Sequence, residues 1–380
     1  MKMKKILSAV LAIAMAAMVS ITAFADEPET TDFDMNKVGI SKILKVADGV
    51  DISDIKDFTF SFTGVNGNGA TAYEAGNKTV TITVAEPSNG LAVGSETFAN
   101  IFGDISNFEH AGEYVWNVKE TTKGFSSSTA EADKNLTVDD SEYKVRLYVA
   151  NVPDGEGLTY KDVIVEKDGE KVDPTITERE WTEDPDTTKK ITVSGANFVN
   201  TYKENIKGDS DIPVLRVKKF ITGDYSDKTM NFSVSVIFTI PDTATKDDVE
   251  VVSKGTNRVR IAWQGKTGTF RTDLSDNESI EFTKIPAGTT FVVEETQDEN
   301  YKSKITGFVS PEDVNYVVGD RSVNGKGPIL AKDNEVTIEN NSDTTVPTGL
   351  VLNTLPYVAL VILAAAGLVF FVFKKKAGKN

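Results

Sequence analysis

The sequence predicts an all-β chain, with two tandem β-sandwich domains between a signal peptide and a C-terminal segment ending in a transmembrane helix. Three observations carry that reading. Alternating runs fill the middle of the chain, among them Phe58–Phe62, Thr79–Val84, Tyr143–Val149, Phe232–Val236 and Arg258–Ala262, separated by clusters of Gly, Asp and Asn. Period-two patterns rich in Thr, Val, Phe and Tyr mark half-buried antiparallel strands. The same succession of motifs then occurs twice, as a duplicated domain would. Finally, the long apolar runs and their flanking lysines are confined to the two ends, so residues 26–348 hold 34 basic and 57 acidic side chains.

At the start, Lys2, Lys4 and Lys5 precede an apolar run from Ile6 to about Ile21, followed by Ala23-Phe24-Ala25. A basic region, an apolar core and an A-x-A site make residues 1–25 a secretory signal cut between Ala25 and Asp26. Residues 26–36 read as a linker and 37–203 as the first domain. Lys203 to Pro213 is polar and turn-rich, which places a second linker at 204–212 and the second domain at 213–343. Residues 344–380 close the chain. Leu355 to Phe373 is 19 residues without a charge, enough to span the hydrocarbon, and Lys374–Lys376 stop transfer on the cytoplasmic side.

Composition excludes several chemistries. The chain has no Cys and one His, His110, which removes disulfides, thiolate metal sites, a Cys nucleophile and most imidazole-based sites. A formal charge of −16 is wrong for a nucleic-acid backbone. No cofactor motif and no metal-ligand spacing stand out. The carboxylate clusters Asp139-Asp140-Ser141-Glu142 and Glu183-Asp184-Pro185-Asp186 lack calcium-loop spacing and read as solvated acidic turns. Trp181 and Trp263 read as packing or strand-edge residues.

Strand parity isolates six polar residues. Side chains two apart share a face, so Lys42 falls with Val38, Ile40 and Leu44, and Lys219 with Leu215, Val217 and Ile221. Glu120 follows Tyr114, Trp116 and Val118, and Glu295 follows Phe291 and Val293, which favours it over Glu294. Asn200 follows Ala196 and Phe198, and Asn340 follows Val336 and Ile338. Each half thus aims one Lys, one Glu and one Asn at its core. Burial drives Lys toward its neutral, nucleophilic amine and Glu toward its protonated acid. A neutral amine beside an Asn carboxamide polarised by Glu can expel ammonia and leave a Lys–Asn isopeptide bond. The residues alone leave open the alternative of strand-end charges, with Lys snorkelling to water and Glu bonded to a loop.

Two resemblances bear on that choice. Val346-Pro347-Thr348-Gly349, followed by the apolar span and basic tail, resembles the sorting signal that sortases cut between Thr and Gly, with Val in place of the common Leu. The Lys-bearing opening strand, the Tyr-x-Trp-x-Val-x-Glu box, the Phe-x-Asn closing strand and their repetition resemble the major pilins of Gram-positive bacteria, of the streptococcal T-antigen type. The resemblance implies two immunoglobulin-like domains with self-formed bonds Lys42–Asn200 and Lys219–Asn340, promoted by Glu120 and Glu295. It also implies a cell-surface, wall-attached polymer whose partners are a sortase, neighbouring pilin subunits, a peptidoglycan precursor and tip or base minor pilins. The accepting lysine would lie just ahead of the first closing strand, where Lys190 is the candidate and Lys203 and Lys207 compete. A monomeric wall-anchored adhesin that binds a host protein or glycan is the alternative. A bond from first strand to last would stabilise each domain much as a long-loop disulfide does, without depending on redox conditions.

Overall fold

The computed structural model describes residues 33–342, apart from 66–71, 74, 154, 185–186, 210, 253–260, 310–311, 315–321 and 325–328. The expected signal cleavage at Ala25 and Asp26, the Val346–Gly349 motif and the span 355–373 lie outside the described residues.

The first domain opens with β1 (Gly39–Lys45), β2 (Asp57–Val65), β3 (Ala72–Tyr73), β4 (Lys78–Thr83) and β5 (Leu91–Thr97). A single-turn helix, α1 (Phe98–Phe102), follows, capped by the Thr97 side chain, which accepts from the Asn100 amide. His110 sits in a bend before β6 (Gly112–Glu120). Next come β7 (Phe125–Ser128), β8 (Ala132–Thr137), β9 (Glu142–Asn151), β10 (Leu158–Lys167), β11 (Glu170–Val172), β12 (Thr177–Asp184), β13 (Thr187–Val193) and β14 (Asn197–Lys207). One sheet runs β5-β1-β14-β8-β7 and the other β11-β10-β9-β6-β2-β4, with β3 beside β6 and β12–β13 as a separate hairpin. The two sheets meet through aromatic side chains. Phe198 on β14 lies 4.9 Å from both Phe60 on β2 and Tyr143 on β9. Fully buried rings of this kind contribute roughly 1.5–3 kcal/mol each.

The second domain repeats the plan with β15 (Leu215–Thr222), β16 (Phe232–Thr239), β17 (Glu250–Val252), β18 (Ala262–Gln264), β19 (Thr267–Leu274), β20 (Ser279–Pro286), β21 (Thr290–Glu295), β22 (Lys302–Val309), β23 (Glu312–Val314), β24 (Ser322–Asn324) and β25 (Asn334–Asn341). Its sheets are β23-β22-β25-β15-β20, with β17 beside β20, and β18-β19-β16-β21-β24. They meet where Phe238 on β16 and Phe270 on β19 contact Phe282 on β20, at 4.8 and 5.5 Å. Of the strand expected at Arg258–Ala262, residues 258–260 are not described, Ile261 lies outside any strand, and Ala262 begins β18.

One pairing recurs in both domains and sets up the site. Most neighbours are antiparallel, yet the first and last strands of each domain lie side by side and parallel, β1 on β14 and β15 on β25. The alternation expected for β1 is present, but its other face is buried too. Ile43 is covered by Leu91 and Val193, with Trp181 and Ile191 of the β12–β13 hairpin packed against them.

The segment read from sequence as a linker departs from that expectation. Glu204 to Lys207 continue β14, and Asn205 and Ile206 are buried. Beyond the residues that pair with β1, β14 pairs with β20 of the second domain, Asn205 opposite Pro286 and Ile206 opposite Ile285. The polar residues belong here because they have partners. Asp248 of the second domain accepts from Lys203 Nζ at 3.0 Å and from Asn205 Nδ2 at 3.1 Å. Gly288 adopts φ +87°, and a Cβ there would sit 2.3 Å from the Ala47 methyl of the first domain, so only glycine lets the two surfaces close.

Candidate functional site: a buried Lys–Glu–Asn constellation in each domain

In the first domain, β1 places Lys42 opposite Phe198 and Leu44 opposite Asn200 on β14, so Lys42 and Asn200 share a face of the parallel pair. Glu120, at the end of β6 in the facing sheet, reaches both. Its Oε2 accepts from Lys42 Nζ at 2.7 Å and its Oε1 accepts from Asn200 Nδ2 at 2.7 Å. The side chains of Lys42 and Glu120 are wholly shielded from solvent, and Asn200 is fully buried. The Lys42 ammonium lies 4.8 Å from the Phe58 ring centroid. Desolvation pushes the Lys42 amine down to about 8, while Glu120 and, more weakly, Asp139 oppose the shift. The Asn200 carboxamide is held at its other end, where Oδ1 accepts from the Asp139 amide at 2.8 Å.

The second domain reproduces the offset. Lys219 is opposite Ile338, and Ile221 is opposite Asn340. Lys219 Nζ lies 2.7 Å from Glu295 Oε2 as an ion pair without hydrogen-bond alignment, and 4.3 Å from the Phe232 centroid. Burial lowers the Lys219 amine. Glu295 is buried and Glu294 exposed, as parity on β21 requires. Ser303 donates to Glu295 Oε1 at 3.2 Å. Among the described residues, neither side-chain atom of the buried Asn340 carboxamide has a hydrogen-bond partner. The two sites therefore share a register and differ in how the carboxamide is held.

Sequence parity did not find Phe58 or Phe232 as lids over the amines, although both begin the Phe-bearing strand that recurs in each half. It also did not find Asp139, which had read as part of a solvated acidic turn. The lysines considered as external acceptors lie elsewhere. Lys190 is exposed on β13, paired with Glu178 at 2.8 Å. Lys203 is bound to Asp248, and Lys207 pairs with Asp133 at 2.6 Å. Among the described residues, no group of three or more His, Cys, Asp or Glu is placed to hold a metal ion.

Comparison with known proteins places this geometry in context. Residues 38–203 match the model of the Spy0128-like isopeptide containing domain. A pilin of Streptococcus pyogenes serotype M1 is 28% identical over 193 residues, which is 48% of this chain and 56% of the pilin. The chain is a homologue of that streptococcal pilin. The alignment spans little more than half of the pilin's length. Residues 213–343 of the homologue match a domain of unknown function, DUF7601. Among solved structures, the major pilin from Streptococcus pyogenes aligns at 16% identity and a TM-score of 0.32, covering 82% of this chain and 100% of that one. The T-13 major pilin from the same species aligns at 17% and 0.30, covering 81% and 97%.

Proposed function

We propose that this pilin homologue is the backbone subunit of a covalent surface fibre on a Gram-positive bacterium, built of two immunoglobulin-like domains that each seal themselves with a Lys–Asn isopeptide bond. Export removes residues 1–25. A sortase cuts between Thr348 and Gly349 and passes the Thr348 acyl group to a lysine of the neighbouring copy, Lys190 being the candidate, and the finished fibre joins the cell wall.

The observation that carries the reading is the recurrence of one constellation. In both domains a buried Lys on the first strand and a buried Asn on the parallel last strand sit at the same register offset, with a buried Glu at 2.7 Å from the amine. The chemistry follows from the contacts. The neutral Lys42 amine attacks Asn200 Cγ, and the C–Nδ2 bond breaks. Glu120, which touches both nitrogens, takes a proton from the attacking amine and delivers it to the departing one. One secondary amide forms and one ammonia leaves. Lys219, Glu295 and Asn340 perform the same steps in the second domain.

The test is the intact mass of recombinant residues 26–348, with fragmentation of the cross-linked peptides. Each bond removes about 17 Da as ammonia, so two bonds remove about 34 Da. A mass equal to the sequence value overturns the reading.

A further inference from the structure

Building on that proposed chemistry, we propose that the backbone amide of Asp139 is the electrophilic donor for the first-domain reaction, and that the Asp139 carboxylate is the positioning group that holds this amide on the Asn200 carbonyl. The turn 138–141 joins β8 to β9 and carries the acidic run that otherwise has no role. Its Asp139 N–H donates to Asn200 Oδ1 at 2.8 Å, the atom on which negative charge develops when the Lys42 amine adds to the carboxamide. The carboxylate of the same residue grips the strand that carries Asn200. Oδ2 accepts from the Val199 amide at 2.7 Å, and Oδ1 accepts from the Ser141 amide at 2.8 Å. One residue thus clamps turn to strand and points its own N–H at the reacting group. Glu120 moves the proton between the two nitrogens while the Asp139 amide meets the oxygen, so the two ends of the carboxamide are served separately.

The second domain is an internal comparison. There the acidic turn between β19 and β20 grips the first strand instead, Asp276 Oδ1 accepting from the Ile221 amide at 2.7 Å. Among the described residues, no donor reaches Asn340 Oδ1. The first bond should therefore form faster than the second.

The experiment refolds unreacted chain, captured in denaturant during synthesis, and follows ammonia loss in each domain by peptide-resolved mass spectrometry. It compares wild type with Asp139→Ala and Asp139→Asn across pH 6.5–9.5. Asp139→Ala is expected to slow the Lys42–Asn200 bond at least about tenfold, less than the roughly 10²–10³ for outright loss of one oxyanion donor because the backbone N–H itself remains, and to leave the Lys219–Asn340 rate unchanged. Asp139→Asn, which keeps one acceptor oxygen, should fall between. In both variants the plateau rate drops, and the pH midpoint moves only slightly, to lower pH, because the Asp139 charge weakly raises the Lys42 amine while the stronger contact with Glu120 is kept. Equal first-domain plateau rates in wild type and Asp139→Ala, with the whole effect confined to the midpoint, would overturn the inference, as would a second bond that forms as fast as the first. If Asp139→Ala does not fold, Asp139→Asn decides by the same criteria. Absence of any ammonia loss in wild type is a different result, and refutes the proposed function itself.

Discussion

Removing the proposed first-domain bond should cost a calculable amount of stability. Lys42 and Asn200 are separated by Glu120, which lies 78 residues after one and 80 before the other. Closing a loop of that length removes chain entropy worth about 5 kcal/mol at 25 °C. For a domain of this size each kcal/mol moves the melting midpoint by roughly 2–4 °C, so losing the bond should lower it by about 10–20 °C. Glu120→Gln removes the proton carrier, but it also strands a buried amine, which costs several kcal/mol on its own. The Lys42→Met, Glu120→Gln double variant isolates the cross-link, because both charges of the buried pair go together and the remaining side chains are close in volume. Differential scanning calorimetry of residues 26–348, with intact mass on the same samples, is the assay. The double variant should retain one ammonia deficit, from the second domain, and its first-domain transition should fall by the stated interval. A double variant that lacks the bond by mass yet melts within about 3 °C of wild type would refute the entropic argument.

Further outcomes follow from the same geometry. The Lys42 amine is depressed to about 8 from 10.5, so the neutral nucleophile accumulates as pH rises, and bond formation in refolded, unreacted chain should accelerate up to about pH 8 and then level off. In that unreacted state the fold binds fewer protons at Lys42 than the unfolded chain does between about 8 and 10.5. Stability measured by urea titration should therefore rise through that window. Asp248 is held below its ordinary value of 3.8 by hydrogen bonds from Thr245 and Lys203, against the opposing effect of burial. Its contribution to the domain joint is complete above that value and lost as pH falls below it, so small-angle scattering should show the domains uncoupling in acid before either unfolds. Asp248→Ala should uncouple them at neutral pH, at a cost of about 1–3 kcal/mol for the buried Asn205 amide left without its acceptor. Gly288→Val should do the same by steric conflict with Ala47, seen as faster hydrogen exchange at Ile206 and Ile285. In a sortase polymerisation assay, Lys190→Arg should abolish ladder formation, and persistence of ladders would shift the acceptor to Lys203 or Lys207.

Parity was enough to bring out the six residues of the two constellations, because each lies on a strand whose neighbours two positions away are unmistakably apolar. It separated Lys219 from Lys218 and Glu295 from Glu294 for the same reason. It could not bring out Asp139, since a turn has no period and its partners on β14 are some 60 residues away. The continuation of β14 through Glu204–Lys207 was hidden in a similar way. A run such as Lys203-Glu204-Asn205 looks like a solvated linker until Asp248, 43 residues beyond Asn205, appears as its partner. Local pattern reports which face is apolar. It does not report polar groups that satisfy one another across a long loop.

The parallel pairing of first and last strands has a further consequence for how such a fibre would respond to a pull. Two neighbouring strands that run the same way admit the chain at one end of the domain and release it at the other. With the proposed bond in place, tension would enter at Gly39, cross from Lys42 to Asn200 and leave along β14, skipping everything in between. An unsealed domain that ruptured would release up to about 500 Å of slack, at 3.3–3.6 Å per residue, and would dissipate energy as it did so. The sealed one can release almost none. Such a fibre would behave as an inextensible tether, passing each jolt at its tip to the wall undamped, and any give in the attachment would have to come from the cell envelope or from whatever the tip holds.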